Sequence, residues 1–465
     1  MPSGLSVTAL TKVDVSFFTP LENEVLYSIT YTKGNMIQEY GEMLKQSFNL
    51  PLCLFIFFLG LLPETHAQPR EVEVFRHGDG QWELRVEGEP FLVKGVVYNF
   101  FAVGDDPAQK TLRDWSILDT DGNGRVDVAY DSWVDVNLNN RQDEDEMSVG
   151  DWQLLRDMGC NTLRLYQMPS ADERIEPLYR EKGINLTFFH PPNKALFRDL
   201  YEEYGIMVVI GHFFGEWGIG SGALWEQGTD YTDPEQRKNL LACIRVMVEE
   251  HKDEPYTLLW MLGNENFNPE DHDNAEQQVE AFLTLVNEAA VLIHELDPNH
   301  PVALCNWGMA NLAAFGRYCP DVDIFGINSY LKEFTPVYER VKKEYDRPVL
   351  ITEYGFPSLG FNRVDEDAQA AGHQSCWMSI EANRYGGEGV GNSIGGTAFI
   401  WCDQWGLTGA PDVHDEGSMM GMKGIEWYGL TSQGDGSKSP FLRQLRKVYY
   451  RYKEWWGTKM QKSEG

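Results

Sequence analysis

A chain of 465 residues, 42% hydrophobic and 24% charged, is long enough to bury a large core without disulfides or metals. Its formal net charge of −32 makes nucleic acid and anionic membrane surfaces poor partners, because both are polyanions and would be repelled.

Residues 50–62 are an uncharged apolar run, preceded by Lys45 and closed by Thr65-His66-Ala67. That order is the order of a secretory signal, and the run is short for a membrane span. Cleavage after Ala67 places Gln68 first in the mature chain, and Met43 is a more typical start for such a peptide than Met1. We therefore expect a leader at 1–67, one domain over 68–465, a secreted or periplasmic location, and no stable membrane partner after cleavage; a retained single-pass anchor is the alternative. Six cysteines follow the leader (160, 243, 305, 319, 376 and 402) and allow fifteen full pairings. Cys160, Cys305 and Cys402 fall in or beside apolar strands and are expected as buried thiols; a disulfide is compatible with export.

Residues 72–97 alternate and turn at Gly78-Asp79-Gly80 and Glu87-Gly88, a hairpin running into a buried strand. Seven further short apolar strands are expected, near 161–166, 206–211, 257–263, 301–306, 323–328, 348–353 and 395–401. Helical stretches such as 235–251 and 274–296 stand between most of them. Eight alternating units predict an α/β fold, the (β/α)8 TIM barrel. A doubly wound sheet would carry a glycine-rich phosphate loop after an early strand, and no GxGxxG stands there. Residues 441–456, basic and aromatic, read as the last barrel helix.

An acidic insertion (105–148) follows the first strand. Asp119, Asp121, Asn123 and Asp127 occupy relative positions 1, 3, 5 and 9, with Gly124 at 6. This is the spacing of a calcium loop, in which alternate oxygens wrap a hard cation. Tyr130 holds position 12, with Asp131 as a substitute ligand. Asp135, Asn137, Asn139 and Asp143 repeat the spacing, with Asn140 at 6 and Glu146 at 12. We expect structural calcium in at least one loop.

Two apolar runs end in carboxylates: Leu258–Glu265 closes with Asn264-Glu265, and Val349–Tyr354 contains Glu353. A charge at the end of a buried strand is costly unless it is used. In a barrel the carboxyl ends of strands converge on the catalytic face. Counted along the chain, Glu265 ends the fourth strand and Glu353 the seventh, facing across the barrel mouth. Facing carboxylates are what glycoside hydrolysis requires, and the 14 tryptophans offer flat faces for the C–H face of a pyranose.

Trp260-Met-Leu-Gly-Asn-Glu265, after a helix ending in His251-Lys-Asp-Glu-Pro255, followed by Pro348-Val-Leu-Ile-Thr-Glu-Tyr-Gly355, resembles the clan A glycoside hydrolases. Families 2 and 5 are nearest in pattern, and the likeness covers most of 90–456. The resemblance implies that Glu265 is the general acid/base, Glu353 the nucleophile, and Asn264 a partner of the sugar 2-hydroxyl. It further implies that Arg164 and Tyr330 hold the nucleophile and that Trp401 floors the sugar site. His212, Trp217, Trp307, Asp403, Gln404 and Trp405 are further candidates for sugar contact. The expected activity is retaining hydrolysis of a β-glycosidic bond in an oligo- or polysaccharide, with the carboxyls roughly 5–5.5 Å apart and no redox or nucleotide cofactor. A transglycosylase on the same scaffold and a non-catalytic carbohydrate-binding barrel are the alternatives. The identity of the sugar, the endo or exo mode and the oligomeric state are not legible.

Overall fold

Strands β1 (Val72–Arg76) and β2 (Trp82–Val86) form an antiparallel hairpin, extended by β3 (Glu89–Pro90). The computed structural model describes residues 70–457 apart from 107–110, 172–187, 270–273, 361–362 and 420; the leader lies outside them. Eight parallel strands then close into a barrel. They are β4 (Val93–Val97), β6 (Thr162–Arg164), β7 (Met207–His212), β8 (Thr257–Leu262), β9 (Val302–Trp307), β10 (Ile324–Asn328), β11 (Val349–Tyr354) and β12 (Ser393–Ala398). Each lies within a few residues of its expected place. β5 (Trp133–Val134) stands apart from the barrel, in the insertion.

The described helices are α1 (Asp151–Met158), α2 (Lys194–Glu202), α3 (Pro234–His251), α4 (Val279–Leu296), α5 (Leu312–Tyr318), α6 (Thr335–Glu344), α7 (Glu366–Ala382) and α8 (Lys447–Trp456). Their starts follow local chemistry: Asp233 caps α3 by accepting from the amides of Glu235 and Gln236, with Pro234 at the first helical position. Strand alternation divides the core. Met207, Val209, Leu259, Met261, Cys305 and Leu350 pack inside the barrel, where Val72 and Leu84 of the hairpin join them. Val208, Ile210 and Trp260 pack in the larger cluster that includes the helices. All six described cysteines are free thiols, and every one but Cys243 is buried.

The tail differs from expectation. Its first third is a strand, β16 (Leu442–Leu445), pairing antiparallel with β15 (Thr431–Ser432) and parallel with β5; a small hairpin of β13 (Ser418–Met419) and β14 (Met422–Lys423) precedes them. The reason is Arg443, which a helix would have left on a surface. It is fully buried and donates through Nε and Nη2 to the two oxygens of Asp151, each at 2.9 Å. The Tyr98 hydroxyl (2.7 Å) and the Ser132 hydroxyl (3.0 Å) complete the acceptor capacity of Asp151. One carboxylate thus ties together the first barrel strand, the insertion, α1 and the tail.

Truncating one partner of a buried pair leaves an uncompensated charge. Asp151→Ala should therefore cost about 3–5 kcal/mol of unfolding free energy. Glu454→Ala, which breaks the exposed Arg451–Glu454 pair, should cost at most about 1 kcal/mol. Urea unfolding of the two variants beside wild type checks the contrast.

Candidate active site

Glu353 lies on β11 and is almost fully buried. Its Oε1 accepts from Arg164 Nη1 at 2.9 Å and from the Tyr166 hydroxyl at 2.7 Å, and its Oε2 accepts from the Tyr330 hydroxyl at 2.6 Å. Arg164, at the end of β6, also donates to the Thr352 carbonyl (2.8 Å) and to Asn264 Oδ1 (2.8 Å), and lies 3.2 Å from the Cys305 sulfur. Arg164 and Tyr330 therefore stand beside Glu353, as the resemblance implied. Tyr166 was not among the expected residues, although its position two beyond Arg164 places it on the same side of the chain.

The turn after β8 is tight. Gly263 has φ +65, and a Cβ there would come within 2.1 Å of Asn266 Oδ1. Glu265 itself has φ +59, a left-handed backbone that costs a side-chain-bearing residue of the order of 1–3 kcal/mol and is typically retained where a site requires it. Its Oε1 accepts from Asn328 Nδ2 at 2.8 Å, and its Oε2 from Asn268 Nδ2 at 3.2 Å. Burial, and then the charge of Glu353, raise the Glu265 carboxyl to about 7; the two asparagine bonds and Arg164 act in the opposite direction. Asn264 spends its Oδ1 on Arg164 and Asn328, and its Nδ2 has no protein acceptor among the described residues.

The aromatic expectations divide. Trp307 continues the inward face of β9 two residues beyond Cys305 and is 43% exposed at the barrel mouth. Trp401 does not floor the site: it is 1% exposed within the helix-side core, its ring 6.3 Å from Tyr449. Phe399, just past the end of β12, faces Tyr330 and Tyr428 instead. His212 is on the wrong side of β7 for sugar contact. It shares the parity of Val208 and Ile210 and sits against Gly220 and Leu240, with Nδ1 accepting from the Phe214 amide; burial lowers it to about 4. The inward position belongs to Phe213, which lies near Tyr166 (5.9 Å) and Trp217 (5.0 Å). Trp217, with φ +51, stacks in turn on Trp225, which is 50% exposed.

Trp405 is largely buried in a stack with His414 (4.8 Å) and Trp427. Asp403 is occupied by a two-pronged pair with Arg446 (2.7 and 2.5 Å), and Gln404 donates to the Asn99 carbonyl. These three residues brace the loops around the mouth, and none hydrogen-bonds to Glu265 or Glu353.

In the insertion, the carboxylate oxygens of Asp119, Asp121 and Asp127 lie within 4.8 Å of one another. Asp119 accepts from the amides of Asn123 and Gly124, and Asp135 accepts from those of Asn139 and Asn140, so the two loops close in the same way. Position 6 is left-handed in both, at Gly124 and at Asn140. Glu146 reaches back to the amides of Val136 and Asp143, and Asp143 Oδ2 accepts from the side-chain amides of Asn137 and Asn139.

Residues 177–363 match the profile of the glycosyl hydrolases family 2 TIM barrel domain. A β-galactosidase of Priestia megaterium is 29% identical over 102 residues, 20% of this chain and 9% of that protein. Among solved structures, the β-glucuronidase of Bacteroides uniformis superposes with a TM-score of 0.50 at 16% identity, covering 84% of this chain and 38% of that one. The β-glucuronidase of Bifidobacterium dentium, complexed with coumarin-3-O-glucuronide, superposes at 0.51 and 17% identity, covering 83% and 48%. The chain thus spans less than half the length of each of these relatives.

Because burial penalises the charged form of Glu265, Glu265→Gln should stabilise the fold where wild type is ionised. The raised carboxyl binds its proton more tightly in the folded than in the unfolded chain, so wild-type stability falls as pH rises from about 4.5 through about 7. The gain for the variant should be of the order of 3 kcal/mol at pH 8 and near zero at pH 4; thermal unfolding at the two pH values measures it. In fold, and in sequence over residues 177–363, this chain resembles the TIM-barrel catalytic domain of the family 2 glycosyl hydrolases of clan A.

Proposed function

We propose that this chain is a secreted retaining β-glycoside hydrolase. The observation that carries the reading is the unequal treatment of two neighbouring carboxyls. Both are buried, but Glu353 receives a cation and two hydroxyl donors, whereas Glu265 has two asparagine amides, is raised to about 7, and is left with a proton to give. In the first step a Glu353 oxygen attacks the anomeric carbon while Glu265 protonates the departing glycosidic oxygen. In the second, Glu265, now ionised, takes a proton from water as that water attacks the same carbon and releases Glu353. Two displacements at one carbon retain configuration. Asn264 Nδ2, on the residue beside the acid, would bind the sugar 2-hydroxyl.

An oligo- or polysaccharide substrate is supported by the aromatic path that leads from Tyr166 through Phe213 and Trp217 to Trp225, and by the exposed Trp307. Export rests on the apolar run at 50–62. Calcium is the third part of the proposal. Asp119, Asp121, Asn123 and Asp127 would hold one ion and Asp135, Asn137, Asn139, Asp143 and Glu146 another, which suits an all-oxygen, carboxylate-rich donor set. Such ions would order the insertion, which β5 joins to the tail through β16.

A panel of aryl β-glycosides and β-glucans, with the anomer of the product read by NMR, tests the activity. We expect wild type to cleave with retention, and Glu353→Gln to lose at least about four orders of magnitude, the scale of a lost covalent nucleophile. Inversion, or cleavage indifferent to Glu353→Gln, overturns the assignment. For calcium, millimolar Ca2+ should raise the melting temperature of EDTA-treated protein by several degrees. Asp119→Ala combined with Asp135→Ala should abolish the response; an unchanged melting temperature in the EDTA-treated wild type refutes the metal.

A further inference from the structure

Asn328 occupies the end of β10 and touches both halves of the site. Its Oδ1 accepts from the Thr352 hydroxyl at 2.7 Å and lies near two further donors, the Cys305 thiol (3.2 Å) and Arg164 Nη1 (3.4 Å). Three donors on one side of an amide fix which way it faces. Nδ2 must then point to the other side, where Glu265 Oε1 lies at 2.8 Å and Asn264 Oδ1 at 3.3 Å. The orientation is set by the hydrogen-bond network, the physical basis on which an asparagine amide is assigned.

The consequence concerns the proton of the acid. An oxygen held 2.8 Å from an N–H accepts a hydrogen bond and is disfavoured as a proton carrier in that direction, since two hydrogens would meet. Glu265 Oε2 takes the longer bond, 3.2 Å from Asn268. On the reading of Glu265 as acid/base, we propose that Asn328 is a positioning residue that makes Oε1 a permanent acceptor, assigns the transferable proton to Oε2, and eases the ionisation that turns Glu265 from acid into base. Thr352, one residue before the nucleophile, holds Asn328 in this orientation. The strand bearing Glu353 thereby dictates which oxygen of Glu265 delivers the proton.

The charged and titratable groups around Glu265 are Glu353 on β11, Arg164 on β6, Cys305 on β9 and Tyr330 after β10. None of these is removed by changing Asn328 or Thr352. A donor to the ionised form favours ionisation, so losing it must raise the carboxyl. The test is the pH dependence of kcat/KM for Asn328→Ala and Thr352→Val, using the 4-nitrophenyl and unsubstituted phenyl β-glycosides of the sugar that the substrate panel selects. The alkaline limb should move to higher pH by about one unit in Asn328→Ala and in the same direction, by less, in Thr352→Val. The phenyl glycoside, whose poor leaving group needs the acid, should lose about tenfold more rate than the 4-nitrophenyl glycoside. A limb that stays in place in both variants, or moves to lower pH, overturns the proposal. So does an equal loss on both substrates. Glu265→Gln is the reference: loss of the alkaline limb there upholds the acid/base reading independently, whereas a limb that survives Glu265→Gln shows that this reading has failed.

Discussion

The buried guanidinium of Arg164 is the interaction around which the site is organised. A cation removed from water is costly unless it is paired and hydrogen-bonded. Here Glu353 and the Thr352 carbonyl meet Nη1, and Asn264 and the Cys305 sulfur meet Nη2; these belong to, or closely follow, strands β11, β8 and β9. The charge that balances Glu353 is therefore supplied from within the barrel wall. A second carboxyl in the same space can then be kept protonated by burial and by the negative charge opposite it, while Arg164 limits how far it rises.

The polar groups beneath the carboxyls form one connected set. Thr352, Asn328, Cys305 and Asn264 link strands that are distant in sequence. Networks of this kind are specific because a half-satisfied version is worse than an apolar core. The left-handed backbone at Glu265 belongs to the same economy: β8 must end sharply for its carboxyl to turn over the mouth rather than continue upward, and Gly263 makes the bend sterically accessible.

Outside the mouth, the fold secures its long first loop by sharing a carboxylate. Asp151 joins Tyr98, Ser132 and Arg443, and β5 pairs with β16. The insertion is thus part of the same structure as the barrel's last helix. The loops that carry Asp403, Trp405 and His414 are fastened to the same tail through Arg446. Order in the acidic loops and order at the rim are mechanically adjacent, with Gln444 donating to Asp135 at 2.8 Å.

What the sequence determined by itself was the barrel and the two carboxylates at its strand ends; Arg164 and Tyr330 beside Glu353 were legible only through the likeness to clan A. Alternation of short apolar strands with amphipathic helices leaves few other ways to bury so much apolar chain, and a carboxylate at the end of an apolar strand declares its own cost. What only the tertiary structure decided was the side of each strand on which a residue falls and the partners it meets across the barrel. A slip of one residue in parity sent His212 toward the helices and left Phe213 at the mouth. A fully buried ion pair with Asp151 made a strand of a segment that reads as helix. Trp401 turned into the core while Phe399 faced Tyr330. Asn328 and Tyr166 each stand two residues from an expected position, yet their contacts with Glu265 and Glu353 join residues 63 and 187 positions apart in the chain. A local pattern carries period and polarity, but it does not carry the register in which eight strands close.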